Sequence, residues 1–350
     1  MIELGDYGFI PTLDTFTDDV IVARVTAVHK ERYELICQYG LVFGRLKSGI
    51  YYNDQYEAVW PTTGDFVTIQ YNGSGDSIIT KTLERKSFFS RLDPIPGKGM
   101  QAVAANFDYV FILTSLNQDF NMKRLERYLT LSWQSGGVPV VILTKADLED
   151  DHSEYVKAIE KNVKNVGVYA VSAKTGYGLD ELSDYIKPRK TIVFLGSSGV
   201  GKSSLLNALA KEEIMKVNEI REDDARGRHT TTHRQLIMLP NGSMIIDTPG
   251  MREIGMFDVS KGLGEAFLDV EDFFGMCKFK DCKHGNEPGC AIKKALQNGE
   301  LSQERWDSYL QLKKEARFSD DKANYMREKQ QWHKSIAKTN KNNEKKKEFY

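Results

Sequence analysis

Between an apolar run, Ile192 to Leu195, and a helical stretch, Ser203 to Ala210, the chain reads Gly196-Ser197-Ser198-Gly199-Val200-Gly201-Lys202-Ser203. This segment constrains the fold more than any other, because a glycine-rich turn ending in Lys-Ser works only where a strand passes into a helix N-terminus. The glycines let backbone N–H groups turn inward around phosphate oxygens. Lys202 supplies a point charge to the β and γ phosphates, the Ser203 hydroxyl is a magnesium ligand, and Ser204 opens the helix beside it. The segment predicts a P-loop in an α/β domain, with Lys202 also stabilising charge during phosphoryl transfer.

Around it, apolar strands alternate with helical segments, the pattern of a parallel sheet wrapped by helices. The strands read as Tyr109 to Leu113, Val138 to Leu143, Val166 to Val171 and Ile192 to Leu195. The helices read as Met122 to Trp133, Ser153 to Asn162, Leu179 to Ile186 and Ser203 to Ala210. A later strand pair, Gln235 to Leu239 and Ser243 to Ile246, turns at Pro240-Asn241-Gly242. Ligands of such sheets bind beyond the carboxyl ends of the strands, and further short motifs fall at those ends. Asp247-Thr248-Pro249-Gly250 suits a magnesium-side carboxylate, Asp247, and a γ-phosphate amide, Gly250. Thr144-Lys145-Ala146-Asp147 matches the guanine-reading pattern Asn-Lys-X-Asp, in which the carboxylate accepts from the base's N1 and N2 groups. Adenine lacks that paired donor edge, so Asp147 argues for GTP. Ser172-Ala173-Lys174 matches the last guanine-contacting loop. Thr230, Thr231 and Thr232 lie where a GTPase keeps its first switch; Thr231 is favoured as the magnesium-binding one, with the other two left open.

The order is guanine motif, second guanine loop, P-loop, first switch, second switch, whereas the common order begins with the P-loop. The chain therefore reads as a circular permutation, which a sheet with neighbouring termini tolerates. One expectation follows: whatever lies beyond Asp258 is tethered to the second switch, so that hydrolysis would reorient it.

Ahead of this domain, six short segments read as strands: Val20 to His29, Tyr33 to Gln38, Val42 to Lys47, Glu57 to Trp60, Asp65 to Tyr71 and Ser77 to Leu83. Turn glycines separate them, which predicts a small OB-type β-barrel, a fold that serves equally as an oligonucleotide binder or as a spacer. The expected division is an RNA-binding barrel over 1–84, a basic linker over 85–100, a permuted GTPase domain over 101–257, a mainly helical zinc domain over 258–316 and a polar tail over 317–350. The linker holds Arg85, Lys86, Arg91 and Lys98.

Three of the four cysteines fall in Cys277-x4-Cys282-x-His284-x5-Cys290, whereas Cys37 stands alone in an apolar strand as a small core residue. Three thiolates and an imidazole form the ligand set of a closed structural zinc site. The alternative is three buried thiols beside a surface histidine. The whole chain carries a net charge of −1, but from Lys313 to Tyr350 there are 12 Lys or Arg against 6 Asp or Glu. Such a basic end suits a polyanion or a solvated helix. With no long apolar run and no basic-then-apolar start, a cytoplasmic protein without membrane contact is expected.

The barrel, the permuted order, Gly196 to Ser203, the run Gly227-Arg228-His229-Thr230-Thr231-Thr232, Asp247 to Gly250 and the Cys-His cluster together resemble the ribosome small subunit-dependent GTPase A family, over about Asp19 to Ala316. The resemblance implies a monomeric GTPase that uses GTP/GDP with Mg²⁺ and one structural Zn²⁺, and that binds the small ribosomal subunit and its rRNA, with ribosomal proteins as further contacts, late in assembly. It also implies that His229 orients the attacking water, because Met251 occupies the position of a water-orienting glutamine. Thr144 departs from the family's asparagine, and its single hydroxyl is expected to weaken guanine binding. Two rival readings are an ATP-dependent enzyme or kinase, disfavoured by Asp147 and Lys174, and an RNA-binding switch in which hydrolysis only resets affinity.

Overall fold

The computed structural model describes residues 2–11, 20–29, 32–47, 60–92, 100–116, 120–215, 234–247, 259–285 and 287–317. Thr230, Thr231, Thr232, His229, Thr248, Pro249, Gly250, Met251, Lys98 and the polar tail beyond 317 lie outside the described residues.

Strands β1 (Ile21–His29), β2 (Arg32–Cys37), β3 (Gly40–Leu46), β4 (Phe66–Gln70) and β5 (Ser77–Thr82) run in the order β1-β2-β3-β5-β4, and β4 closes on β1. All pairs are antiparallel except β3 with β5. This is the expected OB-type barrel, with five strands among the described residues. Of the sixth segment, Glu57 to Trp60, only Trp60 is described, and it lies outside any strand. Alternation sends Ala23, Val25, Tyr33, Leu35, Cys37, Val67, Ile69 and Ile79 inward to one core, which is where Cys37 was expected.

Where a basic linker was expected, the chain forms a hairpin, β6 (Phe88–Leu92) and β7 (Met100–Ala105). Its described cations, Arg85, Lys86 and Arg91, are turned to internal partners. Arg85 makes a two-pronged bond to the fully buried Asp65 at 2.7 and 2.6 Å and lies over Phe88, Lys86 pairs with Asp108, and Arg91 donates to Gln101. Sequence alternation could not reveal this, because Asp65 and Asp108 reach these cations only after the barrel and sheet have packed.

The α/β domain follows as β8 (Tyr109–Ser115), α1 (Met122–Ser135), β9 (Val138–Thr144), α2 (Ser153–Asn162), β10 (Gly167–Ala170), β11 (Thr191–Gly196), α3 (Lys202–Ala210), β12 (Gln235–Met238) and β13 (Met244–Asp247). In space the strands run β10-β9-β8-β11-β13-β12; the first five are parallel and β12 is antiparallel to β13. The segment expected as a helix from Leu179 to Ile186 is a tighter 3₁₀ turn, Leu179–Asp184, which buries only Leu182.

Barrel and sheet are continuous: β1 pairs with β12 through Ala27 and Gln235. At this joint Arg24 points out of the barrel and is 1% exposed. Its guanidinium donates to the carbonyls of Tyr7, Gly64 and Asn106, to Thr191 Oγ1 and to Met244 Sδ. Burial pushes its pKa down to about 10, which leaves it a cation at neutral pH. Gly64 has φ +94°, and a Cβ there would lie 2.1 Å from the Ala105 carbonyl, so only glycine allows this approach.

The C-terminal segment is helical: α4 (Ser260–Ala266), α5 (Leu268–Glu271), α6 (Ala291–Asn298) and α7 over 303–317. Among the described residues it has no core of its own. Leu263, Ala266, Phe267, Ile292, Tyr309 and Leu312 pack in the same cluster as Leu125 and Leu129 of α1. Gly262 permits the approach of α4 to α1, since a Cβ there would meet the Thr130 carbonyl at 2.1 Å. An ionic clamp seals the contact: Arg305 pairs with Glu126 of α1 at 2.6 Å and with Asp269 at 2.7 Å. The expected tether to the second switch lies outside the described residues, and the clamp holds the segment to α1. No helix among the described residues is long and apolar enough to cross a membrane.

Candidate nucleotide site and metal cluster

Every residue of β11 is buried, so the strand delivers Gly196 to the sheet edge at a fixed height. A Cβ at Gly196 would lie 2.7 Å from the Leu113 carbonyl, and Gly201 caps α3 at φ +100°. Both positions therefore need glycine. Val200, 1% exposed, anchors the loop in the core beneath α3 with Leu205 and Leu206. Lys202 Nζ donates to the carbonyls of Gly196 and Ser197 at 2.9 and 2.7 Å, which holds the ammonium over the loop. Ser203 and Ser204 start α3, next to its positive N-terminal dipole.

The two guanine segments reach the same edge. Thr144 ends β9, and its hydroxyl donates to the Val200 carbonyl at 2.7 Å, tying this segment directly to the P-loop. Lys145 has φ +61°, which turns the chain so that Ala146 donates to the Val171 carbonyl. Asp147 Oδ1 then accepts from Ser172 Oγ at 2.6 Å, and Ser172 Oγ accepts from the Thr175 amide at 3.2 Å. Ala173 and Lys174 continue this loop, with Lys174 exposed. On the other flank Asp247 ends β13 at 9% exposure. Thus Ser172, Asp147, Thr144, the P-loop and Asp247 line one edge, as their positions at strand ends predict. His229, Thr231 and Gly250 lie outside the described residues.

Two features escaped the sequence reading. One is the tie from Thr144 to the P-loop, which takes up the hydroxyl whose loss of bonding capacity was the concern. The other is the double grip on Arg234, two positions after Thr232: its carbonyl accepts from barrel Thr63, and its guanidinium donates to the Ala102 carbonyl of the hairpin. A lone arginine opening a short strand was the only signal.

The donor atoms of Cys277, Cys282, His284 and Cys290 all lie within 4.8 Å of one another. His284 Nδ1 is 3.6 Å from the sulfurs of Cys277 and Cys290. Tetrahedral zinc–sulfur bonds of about 2.3 Å imply sulfur–sulfur edges of roughly 3.7 Å, so the set fits one ion. The imidazole is stacked on Phe274 at 4.8 Å and meets Trp306 edge-on, which fixes its direction. The Ala291 amide donates to Cys277 Sγ and, as the leading cause, draws that thiol below its usual pKa, toward the thiolate a metal needs.

The RsgA GTPase family model matches residues 82–257. A second model, described as ABC transporter, matches 179–348, a span that shares the P-loop but leaves out both the barrel and Asp147. The chain is 45% identical to small ribosomal subunit biogenesis GTPase RsgA 1 of Listeria monocytogenes, over 84% of this chain and 83% of that protein. It is 42% identical to the RsgA protein of Methanosarcina acetivorans, over 87% and 81%. Among solved structures it resembles YjeQ from Thermotoga maritima, with TM-score 0.63, 26% identity and coverage of 84% and 97%. It also resembles YloQ, a circularly permuted GTPase, with TM-score 0.60, 25% identity and coverage of 89% and 99%.

Proposed function

The chain belongs to the RsgA family of P-loop GTP hydrolases, and from that premise we propose that it binds the small ribosomal subunit late in its maturation, is stimulated by it, and couples GTP hydrolysis to its own release. The observation that carries this reading is the hydrogen-bonded line Ser172–Asp147 and Thr144–Val200, which links both guanine segments to the P-loop along one sheet edge.

In this reading Asp147 accepts from the guanine N1 and N2 groups, and Ser172 holds its carboxylate in position. The amides of Gly199 to Ser203 and the Lys202 ammonium surround the phosphates and take up the charge that develops on them. Magnesium, when bound, would neutralise phosphate charge; Ser203 and Asp247 would hold it or its water shell, and we assign Thr231 the same role from its place in the sequence. We assign His229 to orienting the attacking water and Gly250 to the γ phosphate. Without a glutamine after Asp247-Thr248-Pro249-Gly250 the isolated protein turns over slowly, so the partner sets the rate; trans activation of related sites is on the order of 10³–10⁵. Zinc at Cys277, Cys282, His284 and Cys290 serves folding.

The pairing of β1 with β12 and the grip on Arg234 support a coupling route, because the barrel holds the backbone where the first switch ends. A change at the γ phosphate is thereby felt in the barrel. The cytoplasm is the compartment this function requires.

The decisive experiment measures GTP and ATP hydrolysis with and without isolated small subunits at two salt concentrations. GTP-only stimulation, lost at high salt, is expected; hydrolysis indifferent to the subunit refutes the reading. Full stimulated turnover in His229→Ala, with GTP binding unchanged, refutes the assignment of that residue.

A further inference from the structure

The residues Pro61-Thr62-Thr63-Gly64-Asp65 lead the chain into β4, and all five are buried. Their backbone is held from several sides. The Thr62 amide donates to Asp65 Oδ2 at 2.7 Å, and the Thr62 hydroxyl donates to the Val103 carbonyl at 3.2 Å. The Thr63 carbonyl accepts from the Ala105 amide at 3.1 Å, and the Gly64 amide donates to the Val25 carbonyl at 2.9 Å. A turn tied to both barrel and hairpin sets the place of its side chains. Thr63 is 0% exposed, and its hydroxyl donates to the Arg234 carbonyl at 3.2 Å. Valine would fill nearly the same volume; what the hydroxyl adds is a hold on Arg234.

Arg234 stands immediately before β12, whose first residue, Gln235, pairs with Asp247 at the end of β13. It therefore lies one position past the last pair of that ladder, next to the carboxylate assigned above to magnesium. Thr63 and the Ala102 carbonyl, which accepts from the Arg234 guanidinium at 2.9 Å, fix it there. Chain length turns this hold into a constraint. A residue spans at most about 3.6 Å, so Thr231, three positions away, stays within about 11 Å of Arg234, and His229, five away, within about 18 Å. From the other side the chain is pinned at Met215, whose amide and carbonyl bond to the Asn207 side chain at 2.8 and 2.7 Å. Sixteen positions separate Met215 from Thr231, a reach of about 58 Å, so that anchor leaves the place of Thr231 open.

We propose that Thr63 is a positioning residue for GTP hydrolysis: through the Arg234 carbonyl it holds the chain three residues from Thr231, where that hydroxyl can reach magnesium. A buried barrel residue thereby supplies part of the order of the GTP site. The inference rests on the role proposed above for Thr231. Its energetic content is preorganisation. With the bond made, the backbone at Arg234 is ordered before nucleotide arrives; without it, that residue is ordered only on binding, at a cost of roughly 5- to 30-fold in affinity. Contacts of a first switch depend on the γ phosphate and its magnesium, so GDP should be spared.

The test titrates the full-length protein with fluorescent GDP and with a fluorescent, non-hydrolysable GTP analogue in the presence of magnesium. Thr63→Val should bind the analogue roughly 5- to 30-fold more weakly, bind GDP within about twofold of native, and need more magnesium for half-maximal analogue binding. Thr63→Ser keeps the hydroxyl and should restore the native values. Arg234→Met removes the other half of the hold and should show the same selective loss, so it decides the matter if Thr63→Val does not fold. Asn207→Ala, at the distant anchor, should shift the ratio of the two affinities less than Thr63→Val does. Equal losses for GDP and analogue, analogue binding within about twofold of native, a serine variant no better than the valine one, or a larger shift in Asn207→Ala would each overturn the proposal. Subunit-stimulated GTP hydrolysis by the native protein is measured alongside. Its absence sinks the proposed function, whereas its presence with a native ratio of affinities in Thr63→Val sinks the positioning role alone.

Discussion

Replacing Arg305 by methionine asks whether the C-terminal helices and the GTPase domain form one cooperative unit. Arg305 is 3% exposed; it donates to Glu126 at 2.6 Å, to both oxygens of Asp269 at 3.0 and 2.7 Å and to the Ala266 carbonyl at 2.7 Å, and it lies 3.9 Å over the Phe267 ring. Methionine fills the volume of the aliphatic stem but leaves Glu126, whose side chain is 4% exposed, with Ser308 of α7 as its remaining side-chain donor among the described residues. Removing one partner of a buried pair costs about 3–5 kcal/mol, because the other charge stays desolvated. With an unfolding entropy of about 2.1 cal/mol/K per residue, each kcal/mol moves the transition of a chain this long by about 1.5 °C, so the melting temperature should fall by about 4–8 °C. The double variant Glu126→Leu/Arg305→Met removes both charges and should recover most of the stability. Calorimetry on the four proteins of this cycle gives the coupling directly. A loss under about 1 kcal/mol, or a double variant no more stable than the single one, would refute the view that this clamp seals the interface.

Three other perturbations test other parts of the molecule. Thr144→Val removes the donor to the Val200 carbonyl and should weaken GDP and GTP alike by about 5- to 30-fold, without improving ATP binding because Asp147 is untouched; fluorescent-nucleotide titration reads both. Cys290→Ser should release zinc and lower a single melting transition of the described core by several kcal/mol, because Cys290 and Ile292 share the cluster that contains Leu129; a separate early transition in metal-content-matched calorimetry would argue against a shared core. Burial pushes the Asp108 carboxyl up, but Lys86, the Thr191 amide and Lys190 outweigh it and hold it below its ordinary 3.8. A depressed carboxyl contributes stability above its unfolded pKa that is lost as pH falls through the folded one, so Asp108→Asn should be less stable at neutral pH and show a flatter acid limb in chemical denaturation.

The phosphate-binding loop, the guanine motif, the second guanine loop and the Cys-His cluster could be read from the chain because each is a contiguous run whose chemistry depends on its own backbone. Gly201 must adopt φ +100° where it stands, and its neighbours in sequence are also its neighbours in space. The barrel strands were legible for a similar reason: a period of two separates Leu35 and Cys37 from the outward residues between them. The circular permutation was equally plain, since motif order is a property of the chain.

Partner choice was decided elsewhere. Arg85 belongs to the expected basic linker, yet it closes on Asp65, and Arg24, a charge among the apolar residues of β1, joins the barrel to the starts of β11 and β13. Arg305 and Glu126 are 179 positions apart and meet only after α4 has settled on α1. Thr144 reads as a weakened asparagine until the fold brings the Val200 carbonyl within 2.7 Å of its hydroxyl. Periodicity specifies which face of an element turns inward, but a buried charge finds its counter-charge among whichever elements the packed sheet brings opposite it, and that is a property of the assembled layers rather than of any one segment.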